Sequence, residues 1–372
     1  MIKVLFLIPT LGHGGAERVL VNLVNHMDKT KFDITIQTLF DVGIYQEKID
    51  KKVRYIPGFK WYFRGNTKIA KLFSSKFLYK KLIRKEYDIV VSYLEGMSSR
   101  IVSGSTNKST KLVSWIHVEQ DNYKYASSCF KSKEEAINSY NIFDKVICVS
   151  ETVKKDFLKL FPRENVEVIY NTVETERILA LKDEKIDDVY FKKNTVNIVS
   201  VAKLMKVKGY DRLIRVIKRL VDDGLNIHMY IVGKGEEFPN LEKIVKENNL
   251  ENNWSFLGFK ENPYKYVAAC DLYVCSSYRE GFSTSVTESL IIGTPVVSTD
   301  CSGAIELLGS NNNYGIVTEN DENSLYEGIK KILTEEGLLH HYKNKTLERG
   351  RTFKTMETVK AVEMMLEKLV SK

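Results

Sequence analysis

Proline is scarce in this chain, with six among 372 residues, and no stretch is dominated by one or two residue types. That composition argues against rigid Pro-rich spacers and against a large disordered region. Cysteine is equally sparse. The five, at 129, 148, 270, 275 and 301, form no C-x-x-C pair and are odd in number, so neither a disulfide framework nor a zinc site organises the fold. Buried free thiols in a reducing compartment are the plain reading. No apolar run approaches the roughly 18 residues of a membrane-spanning helix. The opening Val4-Leu5-Phe6-Leu7-Ile8-Pro9 is too short for a signal-peptide core, and no small-residue cleavage site follows it. The expected location is the cytoplasm, with the inner face of the cell membrane as a peripheral station.

What is present points to a globular α/β protein. The chain is 43% apolar and 28% charged, and its length exceeds what one core usually holds, so two domains are expected. Short β-branched runs (Val4–Ile8, Ile34–Leu39, Asp88–Tyr93, Lys111–Ile116, Val146–Val149, Val166–Tyr170) alternate with helical-period stretches such as Glu17–Met27 and Thr152–Leu160. Continuous apolar strands separated by helices imply a parallel sheet covered on both faces. The charged stretch 171–195 breaks the rhythm and reads as a linker. Strands then resume at Asn197–Val201, Ile227–Val232, Trp254–Leu257, Asp271–Cys275, Pro295–Ser298 and Gly315–Val317. The expected organisation is a Rossmann-like domain over 1–170, the linker 171–195, and a second Rossmann-like domain over 196–350. A helix over 351–372 follows, with the first domain as a place for it to return to. Such doubly wound sheets bind ligands beyond the carboxyl ends of their strands, so two facing units would enclose a deep cleft.

Three loops carry candidate chemistry. After the first strand, Gly12-His13-Gly14-Gly15-Ala16-Glu17 offers close backbone approach and a helix N-terminus, a setting that suits phosphate. Glu17 stands where the dinucleotide fingerprint needs glycine, which disfavours a nicotinamide dehydrogenase. After the first strand of the second domain, Lys203, Lys206 and Lys208 precede Gly209. Fixed cations there would stabilise a diphosphate leaving group, although a lone lysine is more often simply solvated. The third loop, Glu280-Gly281-Phe282-Ser283-Thr284, leads into a helix containing Glu288. It joins the free N–H groups of a helix start to two carboxylates able to accept hydrogen bonds from sugar hydroxyls.

Together these pieces resemble glycosyltransferase family 4, the retaining GT-B enzymes. The resemblance rests on Gly14-Gly15-Ala16-Glu17, on Lys203 through Lys208-Gly209, on Gly233 within Ile231-Val232-Gly233-Lys234-Gly235, and on Glu280 and Glu288 followed by Gly293-Thr294-Pro295-Val296-Val297. It implies a GT-B fold and transfer of a sugar from a nucleotide-sugar donor, UDP-linked by preference, to a saccharide or lipid-linked saccharide in surface-polysaccharide assembly. By the same resemblance Glu288 would hold the donor ribose, and Glu280 would contact hydroxyls of the transferred sugar. Gly281, Phe282, Ser283 and Thr284 would bind that sugar and the distal phosphate. Lys203 and Lys208 would neutralise the diphosphate, and Gly14 and Gly15 would close on it. His117 would stand near the reacting sugar, and Gly233 and Phe259 would border the base.

No metal or other cofactor is implied. The departing phosphate oxygen would take the acceptor proton while the protein positions the partners and stabilises charge. Two positions depart from the family: Lys203 replaces the usual Arg and lacks its fork, and Asn171-Thr172 replaces Asn-Gly. The alternatives are another GT-B activity such as a sugar-nucleotide epimerase, and a non-catalytic two-domain sugar-binding protein.

Charge is also uneven. Lys51 to Lys85 holds twelve Lys or Arg and no Asp or Glu, interleaved with Tyr55, Phe59, Trp61, Tyr62, Phe63, Phe73 and Phe77. The spacing within it suggests one amphipathic helix over Thr67–Lys85, with Ile69, Leu72, Phe73, Leu78 and Leu82 on one side. Such a segment fits peripheral docking on anionic lipid. Nucleic acid is the competing partner for a basic aromatic patch, but no recognition motif accompanies it.

Overall fold

The computed structural model describes residues 1–12, 14–61 and 65–371. His13, Tyr62 and Phe63, named above, lie outside them. The chain divides into two compact units, residues 1–172 with 356–372, and residues 173–355.

The first unit is a parallel sheet of seven strands: β1 Ile2–Ile8, β2 Phe32–Thr38, β3 Arg54–Ile56, β4 Ile89–Ser92, β5 Lys111–Ile116, β6 Lys145–Cys148 and β7 Val166–Val168. Their spatial order is β3-β2-β1-β4-β5-β6-β7. The second unit is a parallel sheet of six: β8 Val196–Val201, β9 Ile227–Val232, β10 Trp254–Gly258, β11 Leu272–Cys275, β12 Val296–Thr299 and β13 Ile316–Thr318. Their order is β10-β9-β8-β11-β12-β13. Both orders are doubly wound, and both change direction beside the first strand, between β1 and β4 and between β8 and β11. A crevice opens at the carboxyl ends of the strands where the winding reverses.

The strands are apolar along most of their length because helices cover both faces. Val4 through Ile8 and Ile227 through Val232 are buried without interruption. The helix Tyr210–Asp222 contributes Leu213, Ile214, Val216, Ile217 and Leu220 to the second core.

Two expectations change, those for the stretch 171–195 and for the basic segment. The stretch 171–195 holds a helix, Thr175–Leu181, and from Val173 onward it belongs to the second unit. Ile178 is fully buried there, and Thr175 donates its hydroxyl to Phe353 O at 2.8 Å and its N–H to Thr355 Oγ1 at 3.1 Å, so burial and long-range hydrogen bonds anchor a sequence rich in charge. The last helix, Thr355–Val370, is part of the first unit from Met356 on. There Glu363 accepts from Asp28 N at 2.6 Å and Glu367 pairs with Lys31 at 3.0 Å.

The basic segment is two short helices, Asn66–Ala70 and Ser75–Leu82. Arg100, buried in the same unit, donates to Ala70 O at 2.9 Å and to Phe73 O at 2.7 Å. Those carbonyls are taken out of any continuing helix, and Ser74 then caps the second one by accepting from Phe77 N at 3.2 Å. Ile69, Leu72 and Phe73 consequently remain exposed. Among the described residues no helix is long and apolar enough to cross a membrane.

Candidate active site

In the second unit the winding reverses between β8 and β11, and the loops after these two strands meet. The loop after β8 runs through Lys203 and a short turn of helix, Lys206–Lys208, to Gly209 at φ +64°. A Cβ on Gly209 would lie 2.1 Å from Ser276 O, so only glycine lets this loop close onto the end of β11. Ser276 donates its hydroxyl to Lys208 O at 2.9 Å. Lys208 Nζ then donates to both oxygens of Glu280, at 2.7 and 2.9 Å, and Ser277 Oγ donates to Glu280 Oε1 at 2.6 Å. Burial would push the Lys208 ammonium down, but the charge and hydrogen bonds of Glu280 outweigh it and hold the pKa above its ordinary value. Lys208 is therefore a permanent cation. At most two of its three N–H groups are directed at Glu280, which leaves donor capacity for a ligand oxygen.

Beneath this pair lies Arg212, 2% exposed. Its guanidinium donates to Ser276 O at 2.9 and 2.6 Å, to Ser277 O at 2.8 Å and to Asn320 O at 3.1 Å. It also lies 4.1 Å from the Tyr278 ring centroid. Neither Arg212 nor Ser277 stands out in the sequence. An arginine on an amphipathic helix looks like part of a solvated face, and only its position beside the apolar stripe hints otherwise.

Glu280 precedes the helix Thr284–Ile292 and Glu288 lies within it, 5% exposed. Ser283 caps that helix, accepting from Val286 N at 3.4 Å. Gly281 and Phe282 form the approach to it, and Gly303 passes beneath them: a Cβ there would come within 2.9 Å of the Phe282 ring.

The base-side loops are joined to the same place. Gly233 donates its N–H to Gly258 O at 2.8 Å, and Leu204 donates to Lys234 O at 3.2 Å. Gly233 has φ +151°, and a Cβ on it would sit 1.9 Å from Ala202 O. The loops after β8, β9 and β10 are thus joined by main-chain hydrogen bonds. Phe259 is exposed, with Lys234 Nζ 5.3 Å from its ring centroid. Lys203 is exposed and carries no side-chain hydrogen bond or ion pair to the described residues.

The remaining expected residues belong to the first unit. Gly14 precedes the helix Gly15–His26, and the Glu17 carboxylate folds back over it, close enough that a Cβ on Gly14 would overlap Glu17 Oε2 at 1.9 Å. His117 follows β5 and is 7% exposed. Its ring lies 4.8 Å from Tyr93 and 6.4 Å from Trp115, centroid to centroid. Burial pushes its pKa down to about 3, so the imidazole is neutral. Its backbone N–H donates to Glu95 Oε2 at 2.8 Å. Glu95 is a residue that sequence reasoning passes over, since a single acid after a strand forms no pattern. Among the described residues no group of three or more His, Cys, Asp or Glu is placed to share a metal ion.

Against known proteins, residues 13–177 match the model of Glycosyltransferase Family 4 and residues 182–349 match that of Glycosyl transferases group 1. The chain is 31% identical to a Campylobacter jejuni enzyme over 95% of its own length and 96% of the relative's. That relative is the N-acetylgalactosamine-N,N'-diacetylbacillosaminyl-diphospho-undecaprenol 4-alpha-N-acetylgalactosaminyltransferase.

The chain belongs to glycosyltransferase family 4.

A lipopolysaccharide core biosynthesis glycosyltransferase of Rhizobium meliloti, LpsE, is 25% identical to this family 4 glycosyltransferase, over 91% of the chain and 89% of the relative. The crystal structure of Anabaena HepE in complex with UDP-glucose superposes with a TM-score of 0.78 at 19% identity, covering 99% of this chain and 100% of that one. The GT-B fold expected from the sequence, two Rossmann-like parallel-sheet domains, is the fold observed.

Proposed function

We propose that this glycosyltransferase transfers a sugar from a UDP-sugar to a saccharide or lipid-linked saccharide in surface-polysaccharide assembly, with retention of configuration and without a metal. The observation that carries this reading is the Lys208–Glu280 pair at the reversal of the second sheet, beside the helix start at Ser283. Lys208 supplies fixed positive charge where a diphosphate would depart. Glu280 supplies acceptor oxygens for sugar hydroxyls, and Glu288 does so for ribose. Lys203 would add a second cation. Gly281, Phe282, Ser283 and Thr284 would offer main-chain donors, with Gly233 and Phe259 bordering the base. In the first unit, Gly14, Gly15 and His117 would address the phosphates and the reacting sugar. The Campylobacter relative, named for an undecaprenol-diphosphate acceptor and an N-acetylgalactosaminyl group, favours an N-acetylhexosamine donor and a lipid-linked acceptor. HepE, solved with UDP-glucose, favours uridine.

The protein is incubated with UDP-, GDP- and ADP-sugars, and donor hydrolysis and transfer are followed with and without EDTA. The expected result is turnover of a UDP-sugar that EDTA leaves unchanged and a product whose anomeric proton coupling matches the donor's. Turnover of no sugar nucleotide overturns the reading; EDTA-sensitive turnover overturns metal independence.

Membrane contact through Lys51 to Lys85 is part of the proposal. Phe59, Trp61 and Leu72 are 61%, 82% and 77% exposed among the cations of this segment. Apolar side chains insert at the headgroup boundary while each nearby Lys or Arg adds about 1 kcal/mol on an anionic surface. The protein should sediment with vesicles containing anionic lipid, and Trp61→Ser with Leu72→Ser should lower the bound fraction at least about five-fold. Equal sedimentation with purely zwitterionic vesicles counts against it.

A further inference from the structure

The reversal of the first sheet, between β1 and β4, holds a carboxylate that none of the roles above uses. Glu95 lies three residues beyond β4, partly exposed, in a turn whose shape is set from below. Ser92 Oγ donates to Leu94 O at 2.9 Å. Gly96 adopts φ +80°, and a Cβ on it would lie 3.0 Å from Cys129 Sγ. The turn is thereby aimed at the end of β5, where Glu95 Oε2 accepts the N–H of His117 at 2.8 Å. Hydrogen bonds from the N–H groups of Val118 and of Glu95 itself also favour the ionised carboxyl.

The imidazole beyond this clamp has little else to orient it. Its ring packs on Tyr93 and Trp115, and its buried Nε2 has no hydrogen-bond partner among the described residues. Its direction is therefore set by this packing and by the main chain that Glu95 grips.

We propose that Glu95 is a positioning residue for sugar transfer, its carboxylate fixing the main chain at His117 and so the direction of the imidazole. This rests on the reading above in which His117 stands near the reacting sugar.

The clamp has a pH signature. The residue keeps partial exposure, but the protein atoms packed around its carboxyl outweigh the three N–H groups and raise Glu95 to about 7. Below that value the carboxyl is neutral and a weaker acceptor for these N–H groups, and the grip on His117 loosens. The titratable groups around Glu95 do not share this window. His117 is held neutral by burial. Cys129, Tyr140 on the helix Lys133–Ile142, and Cys148 at the end of β6 are all raised by burial and stay uncharged. Stability runs with the opposite sign from activity. The folded pKa exceeds the ordinary value of 4.5, so the contribution to stability is full below 4.5 and lost as pH rises through about 7.

The test compares wild type with the near-isosteric Glu95→Gln, measuring kcat, donor KM and thermal stability from about pH 5 to pH 8. Wild-type kcat should fall on the acid side of about pH 7. In Glu95→Gln that limb should vanish and the plateau kcat drop about 10- to 100-fold, the scale of a misplaced catalytic group, with donor KM within about two-fold. The Tm difference should shift in favour of the variant from pH 5 to pH 8, so that activity is lost where relative stability is gained. A second variant, Glu95→Ala with His117→Ala, should be no slower than His117→Ala alone. A Glu95→Gln enzyme that keeps the wild-type plateau and acid limb overturns this inference alone. A wild type that turns over no nucleotide sugar overturns the functional reading and this inference with it.

Discussion

Lys208→Met lowers kcat about 100- to 1,000-fold, the loss that follows removal of one preorganised charge-stabilising group. Methionine keeps the length and the apolar stem but removes the cation where diphosphate charge develops. Part of the damage would be structural, since Glu280, with a side chain 13% exposed, would keep only the Ser277 hydroxyl as a donor of those described above. An incompletely paired buried carboxylate costs about 1–3 kcal/mol. The double variant Lys208→Met with Glu280→Gln removes that penalty by replacing the ion pair with a neutral, similarly shaped one. Its Tm should return toward wild type while kcat stays low. Steady-state kinetics and thermal unfolding on the three proteins separate the two effects. A Lys208→Met enzyme within about three-fold of wild-type kcat would remove Lys208 from the mechanism.

Lys208 and Glu280 could each be nominated from the sequence because their signals are local, although their ion pair was not among the expectations. Lys208 and Gly209 follow β8 directly, and Glu280 ends the loop after β11, so strand-end position and spacing are enough to nominate them. The strands were legible for the same reason. A run such as Ile227–Val232 is apolar throughout because both its faces are covered, and that pattern survives in one dimension. The edge strand Arg54–Ile56 was not legible. It is three residues long, lies in the most basic part of the chain, and owes its conformation to pairing with β2. The break in the basic helix was hidden for a related reason. It depends on Arg100, 27 and 30 residues away from the carbonyls it takes, and no local propensity encodes that. Glu95 and Arg212 share this character, since each acts on backbone brought to it by the sheet.

Arg212 is the position where the cost of that invisibility is largest. Arg212→Met should destabilise the second unit by about 3–5 kcal/mol, the range for removing one side of a buried charged network, which for a unit of this size lowers its Tm roughly 6–20 °C. The guanidinium spreads its charge over three main-chain carbonyls, those of Ser276, Ser277 and Asn320. In the variant Asn320 O would lose that donor, Ser276 O would lose two of its donors, and Ser277 O would keep the Thr299 hydroxyl at 2.7 Å. Lysine should recover less than half of the loss, because one ammonium cannot reproduce the fork. The functional consequence follows from the same contacts. Ser276 holds the main chain at Lys208 and Ser277 holds Glu280, so loosening the end of β11 disturbs both halves of the ion pair at once. Calorimetry should show one transition shifted and the other in place, and donor KM should rise together with a fall in kcat. If Arg212→Met left the Tm of the second unit within about 2 °C of wild type, the guanidinium would not be what holds the catalytic pair in register.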